Sequence, residues 1–108
     1  MNYAEVYSLV AGKNNRKSRK LENNTYGYIE YDGSVSVELH STKVVTLYAN
    51  GLVKLTSGGW QTVTTKDRMN RYSPVSVRQR KGEWYVMSTC ADGCRNEFPF
   101  MENMVVQG

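Results

Sequence analysis

From Tyr26 to Ser57 the chain keeps a two-residue period broken by turn residues, and that rhythm leaves few folds open. Ser34–His40 alternates, with Val35, Val37 and Leu39 on one side and Ser36, Glu38 and His40 on the other. This is the pattern of a strand with one buried face. Before it, Tyr26–Tyr31 runs into Asp32-Gly33; after it, Lys43–Ala49, with Val45 and Leu47 inward, runs into Asn50-Gly51. Both dipeptides signal two-residue hairpins, Asn-Gly most strongly as a type I′ turn. Leu52–Ser57 adds a strand with Val53 and Leu55 on one face. Residues 26–57 therefore read as an antiparallel meander of four strands.

The next stretch stops that rhythm. Gly58-Gly59 ends a strand, because paired glycines reach backbone angles closed to other residues. Trp60 then presents the largest apolar side chain type, with an indole N–H that needs a partner if buried. A short basic helix follows: Thr64 is the expected N-cap, Asp67 stands where a capping-box acid belongs, and Pro74 closes the segment. Val75–Arg80 and Glu83–Met87 read as strands around Lys81-Gly82, with Val75, Val77, Trp84 and Val86 inward. Residues 88–97 read as loop. Met101–Val106 reads as an apolar tail with a final edge strand, and Pro99 excludes a central one there. At the other end, Tyr3, Val6, Tyr7 and Val10 recur at helical spacing before Gly12. That short helix is expected to cap the core; its other face lacks the cations of a membrane-surface helix. The predicted fold is α+β. It has one small twisted antiparallel sheet of five to seven strands, a short N-terminal helix and a short basic helix between strands, in one domain over residues 1–108.

Charge is unevenly placed. The formal net charge is +4, with 14 Lys and Arg against 10 Asp and Glu. Eleven of those 14 cations fall in 13–20 and 66–81, where Asp67 is the sole acid. Clustered basicity suggests an anionic partner. Residues 13–20 hold no apolar side chain and are expected to form an exposed basic arm, either contacting phosphate or serving as a solvated linker. No apolar run approaches the ~20 residues of a membrane span, and no signal-peptide pattern opens the chain. Two cysteines, Cys90 and Cys94, make neither a disulfide framework nor a four-ligand zinc set. The expected location is cytosolic.

Several segments together resemble an uncharacterised small bacteriophage protein family. They are Arg19-Lys20-Leu21-Glu22-Asn23-Asn24-Thr25-Tyr26, Leu39-His40-Ser41-Thr42-Lys43-Val44-Val45-Thr46, Tyr48-Ala49-Asn50-Gly51, Ser57-Gly58-Gly59-Trp60-Gln61-Thr62-Val63-Thr64-Thr65-Lys66 with Arg68 and Asn70, and Gly82-Glu83-Trp84-Tyr85-Val86. The resemblance covers residues 19–87. It implies action in the cytoplasm of an infected host and brings no known activity with it.

The function expected is non-enzymatic binding to nucleic acid or to a host nucleic-acid-binding protein complex. Tyr26, Tyr28, Tyr48, Tyr72 and Tyr85 lie near Arg68, Arg71, Arg78 and Arg80 in sequence, and aromatic rings beside guanidinium groups suit unpaired bases. The candidate contact residues are Arg16, Lys17, Arg19, Lys20, Trp60, Thr62, Thr64, Lys66, Arg68, Arg71, Arg78 and Arg80. Arg68 and Arg71 are expected to project into solvent. Thr62, Thr64, Thr65, Lys66, Arg68 and Asn70 are a candidate anion site at the helix start. The alternatives are an anti-defence inhibitor of a host effector, as anti-CRISPR proteins are, and a metal-independent nuclease centred on the lone His40. No cofactor or metal is expected, and self-association is left open.

Overall fold

The computed structural model describes residues 1–89, 93 and 95–107. Helix α1 (Tyr3–Ala11) starts at Asn2, whose side chain accepts the Glu5 N–H while the Glu5 carboxylate accepts the Asn2 N–H. This reciprocal capping box satisfies two otherwise unpartnered donors. Gly12 ends the helix, as its position suggested, and a single 3₁₀ turn (Gly12–Asn14) follows. Strands β1 (Ser18–Glu22), β2 (Thr25–Ile29), β3 (Val35–Leu39), β4 (Thr42–Leu47) and β5 (Leu52–Leu55) then run as consecutive antiparallel neighbours. Helix α2 (Val63–Arg71) leads to β6 (Ser76–Arg80), β7 (Glu83–Thr89), β8 (Arg95–Pro99) and β9 (Met104–Gln107).

The meander of β2 to β5 is as expected, but the architecture has two sheets where one was predicted. A six-stranded sheet has the order β1-β2-β3-β4-β5-β9, and a three-stranded sheet the order β6-β7-β8. The chain leaves the first sheet at the double glycine and returns only at its end, so β9 pairs with β5. The loop predicted for 88–97 is partly β7 and β8. Pro99 lies on β8, an edge strand, where a missing N–H costs no ladder bond. Cys90 and Cys94 lie outside the described residues.

The turns also differ from expectation. Type I′ needs positive φ at both central residues. At Asn50-Gly51 only Gly51 has it, at φ 91°, and Gly51 N–H donates to Tyr48 while Tyr48 N–H donates to Leu52. The loop is thus three residues, Ala49-Asn50-Gly51. Asp32-Gly33 repeats the arrangement, with the Asp32 carboxylate holding the Ser34 N–H and hydroxyl. Two two-residue turns have both φ positive: His40-Ser41, at 49° and 72°, joining β3 to β4, and the expected Lys81-Gly82, at 51° and 80°, joining β6 to β7.

Both helices lie on one face of the large sheet. α1 packs against β1, β2 and β3; α2 packs against β3, β4 and β6. Val6, Val10, Val35, Val37, Leu39, Val45, Leu47, Val53, Leu55, Met69, Val77, Trp84 and Val86 form one continuous core. Each fully buried aliphatic side chain among them contributes roughly 1.5–3 kcal/mol of transfer free energy. A bulge in β4 opposite Val37 and Glu38 turns both Val44 and Val45 inward, breaking strict alternation. Trp84 meets Phe100 edge-on, with ring centroids 5.5 Å apart. The opposite face of the large sheet is open and carries Lys20, Tyr26, Glu38 and Lys54.

The closest approach in the core is at Gly27. A Cβ there would stand 2.4 Å from Val10 Cγ2 and 3.3 Å from Leu21 Cδ1. α1 therefore sits on bare backbone of β2. Gly27→Ala should lower stability by about 1–3 kcal/mol through overpacking, read as a shift in denaturant midpoint at unchanged slope.

Candidate functional site

Sequence reasoning treated the segment from Ser57 to Arg71 as one cationic projection. The structure divides it. The N-cap of α2 is Thr62, whose hydroxyl oxygen accepts the Thr65 N–H at 3.1 Å, so the predicted cap at Thr64 is two residues late. Thr65 turns inward and pairs its hydroxyl with Thr62, and Met69 is fully buried. The Asn70 amide donates to the Val77 C=O and accepts the Val77 N–H, so it acts as an extra β-residue beside β6.

The expectation that Arg68 projects into solvent is overturned, whereas Arg71 is exposed as expected, at 52%, but is held in ion pairs. The Arg68 side chain is only 12% exposed. Its Nε donates to Thr25 Oγ1 at 2.8 Å, and its guanidinium lies 3.3 Å from Glu22 and 2.5 Å from Asp67. Arg71 donates to both Glu22 carboxylate oxygens at 2.7 and 2.8 Å and lies 3.4 Å from Asp67. The buried Tyr72 hydroxyl also donates to Glu22. The neutralising acids are Glu22 and Asp67, because β1 brings Glu22 under the C-terminal half of α2. Tyr72, considered above as a stacking surface, is a core residue instead.

Other candidates are dispersed. Arg16 Nε reaches the Val10 C=O, and its guanidinium folds over Gly12. Arg19 donates to the Leu9 C=O at 2.8 Å. Residues 13–20 are exposed as expected, yet they do not form a free arm: Ser18–Lys20 lie within β1, paired with β2. Among the described residues Lys17 and Lys20 make no ion pair. Lys66 donates to Gln79 at 3.2 Å. Arg80 pairs with Glu97 and stacks 4.4 Å from the Tyr85 ring centroid, while Arg78 is exposed opposite Tyr85. The twelve proposed contact residues are thus spread over β1 and the residue before it, the turn before α2, α2 itself and β6, with Arg16 folded over Gly12.

One part of the prediction does converge. Gly58 and Gly59 have φ 65° and 86°, and a Cβ on Gly58 would press on Thr42 at 2.8 Å. Glu102, from the β8–β9 connection, clamps this turn: its carboxylate accepts the Ser57 hydroxyl and N–H and the Gly58 N–H. Just after the clamped turn, Trp60 is 70% exposed and Val63 76%. Burial of Trp60 is therefore excluded. Below it lies a groove of about 470 Å³. Buried Leu39 and Val44 line its base; His40, Thr42, Thr62 and Thr64 line its sides with Trp60 at the rim. Sequence reading singled out Trp60, Thr62 and Thr64 but had no reason to bring the β3–β4 turn to them. The groove contains no charged side chain, so it suits an apolar group with a few hydroxyl contacts.

The Glu22 cluster carries the clearest electrostatic signature. The Tyr72 hydroxyl bond and the charges of Arg71 and Arg68 hold the Glu22 carboxyl below its ordinary 4.5, against the opposing effect of partial burial. Burial, and then the bond to Glu22, push Tyr72 up to about 12. A lowered carboxyl means that the unfolded chain binds the proton more readily, so stability falls as pH drops below about 4.5 through the lowered value. A raised phenol loses its contribution as pH climbs from 10.0 towards about 12. Glu22→Gln should lower stability at neutral pH by about 1 kcal/mol, given partial exposure. It should also flatten the acid limb of a pH–denaturation series. Wild-type slope retained in the variant would contradict this role.

Among the described residues no helix is long and apolar enough to cross a membrane, and no group of His, Cys, Asp and Glu is placed to hold a metal ion. Comparison with curated proteins and with solved structures returns no match. The model of the Kyanoviridae Gp96 protein family matches residues 4–107, well beyond the segments that suggested a phage family at the outset. The chain therefore belongs to the Kyanoviridae Gp96 protein family, a family of phage proteins.

Proposed function

We propose that this is a non-enzymatic, phage-encoded binding protein acting in the cytoplasm of the infected host, and that its partner is a host protein held at the Trp60 groove. One observation carries the reading: Trp60 stands 70% exposed above an uncharged groove, on a turn clamped by Glu102. An exposed Trp is costly in water, and large aromatics are the residues on which protein interfaces most often depend. The clamp fixes the turn backbone that carries Trp60 before binding, which reduces the ordering cost of association. An inhibitor of a host effector, including a nucleoprotein, is the function class this surface fits best.

Direct nucleic-acid contact is the second reading. It is favoured by Lys17 and Lys20, which make no ion pair among the described residues, and by Tyr26, which lies across from Lys20 on the open sheet face. It is weakened by the internal pairing of Arg68 and Arg71. A nuclease centred on His40 gains nothing from the groove, which brings no carboxylate to the imidazole. The positive φ of His40 gives it a structural role as a turn residue.

The test is affinity capture from expressing host cells with wild type, Trp60→Ala and the double variant Lys17→Ala/Lys20→Ala. Trp60→Ala should leave stability within about 0.5 kcal/mol, as for an exposed site, while weakening partner binding by about 2 kcal/mol or more. Nucleic-acid binding that ignores Trp60→Ala and loses salt dependence in the lysine variant would favour the second reading. Capture of the same partner by all three proteins would overturn the first.

A further inference from the structure

A sheet edge presents unpaired N–H and C=O groups, and soluble proteins guard such edges with charge or proline. The described residues contain four: β1 and β9 on the large sheet, β6 and β8 on the small one. β1 carries Arg19, Lys20 and Glu22; β6 carries Arg78 and Arg80; β8 carries Arg95, Glu97 and Pro99. β9, Met104-Val105-Val106-Gln107, carries no guard of either kind.

Its backbone is aimed outward at alternate residues. Tyr48 N–H donates to the Leu52 C=O, and Thr56 N–H to the Val44 C=O, so Leu52 and Thr56 turn their backbone groups towards β4. By the alternation of an antiparallel ladder, Val53 and Leu55 face β9 instead. Their partners Val106 and Met104 are thereby satisfied within the sheet. The N–H and C=O groups of Val105 and Gln107 point away from it. Beside β9 runs a groove of about 530 Å³, bordered by Phe98, Met101 and Asn96 and free of charged side chains. Phe98, Met101 and Val105 are 40%, 67% and 51% exposed.

We propose that β9 is a self-pairing edge, on which a second copy of this chain lays its own β9 antiparallel across a two-fold axis. The strand is its own complement. A register centred on Val106 sets Val105 opposite Gln107 of the second copy, so every outward N–H meets an outward C=O. The same register keeps Val106 against Val106 on the core side. The pairing is isologous and closes on itself, as a two-fold interface must. A strand bearing charge would lose hydration in the uncharged groove without finding a counter-ion; the neutral β9 loses none. This dimer is independent of the Trp60 groove and of any host partner.

Sedimentation velocity of the full chain across the micromolar range tests it, with Val105→Lys and Gln107→Pro as variants. Gln107→Pro deletes an N–H that points away from β5 and makes no ladder bond to it, so far-UV circular dichroism should stay unchanged. Wild type should dimerise, and each variant should weaken the dimer by about tenfold or more. A wild type that is monomeric throughout, or a dimer indifferent to both substitutions, overturns the proposal. A wild-type monomer that instead captures a neutral extended peptide also overturns it, in favour of a foreign strand.

Discussion

The Glu22 carboxylate is the point on which the central part of the molecule depends. It sits at the end of β1, accepts hydrogen bonds from Arg71 and Tyr72, and lies against Arg68, which in turn holds Thr25 at the start of β2. One half-buried anion thus connects the first hairpin of the large sheet to the helix that leads into the small one. The arrangement works because its charges balance locally. Two guanidinium groups meet Glu22 and Asp67, so neither arginine is left desolvated and alone, the situation in which a buried charge becomes strongly destabilising. Asn70, bonded in both directions to Val77, extends the same attachment into β6.

Pairing of the α2 arginines with Glu22 and Asp67 decides what remains for contact with other molecules. The surface after the double glycine is built on backbone geometry and not on charge. Gly58 must lack a side chain because Thr42 occupies the space, and Glu102 takes up the N–H groups that the turn exposes. An external anion would have to displace an internal carboxylate there. What the turn does offer is Trp60, with threonine hydroxyls and an aliphatic base beneath it. These groups favour the proposed protein contact over a phosphate contact.

Local features were legible in the sequence, and long-range ones were not. The alternation of Val35, Val37 and Leu39, the helical spacing of Tyr3, Val6, Tyr7 and Val10, and the glycine at 12 each describe neighbours within a few residues, and each appears in the fold. Asn50-Gly51 marked a turn correctly but not its type, because a three-residue loop with one positive-φ glycine uses the same dipeptide. The pairing of Arg71 with Glu22 spans 49 positions, and the clamp of Gly58 by Glu102 spans 44. Neither distance leaves a periodic trace. The basic cluster looked open because one of its counter-ions lies beside the polar turn Asn23-Asn24, where Glu22 reads as ordinary surface. β1 escaped notice for a related reason: its cations suit a guarded edge strand as well as a free arm.

Internal neutralisation of the α2 arginines is measured directly by a double-mutant cycle on stability. Glu22→Gln and Arg68→Met, singly and together, isolate the coupling between two residues 46 positions apart. A coupling free energy of about 1 kcal/mol or more, reduced in acid as Glu22 protonates, is the predicted result. Strictly additive effects at neutral pH would contradict it, and would return the arginines of α2 to the solvent-facing role their sequence first suggested.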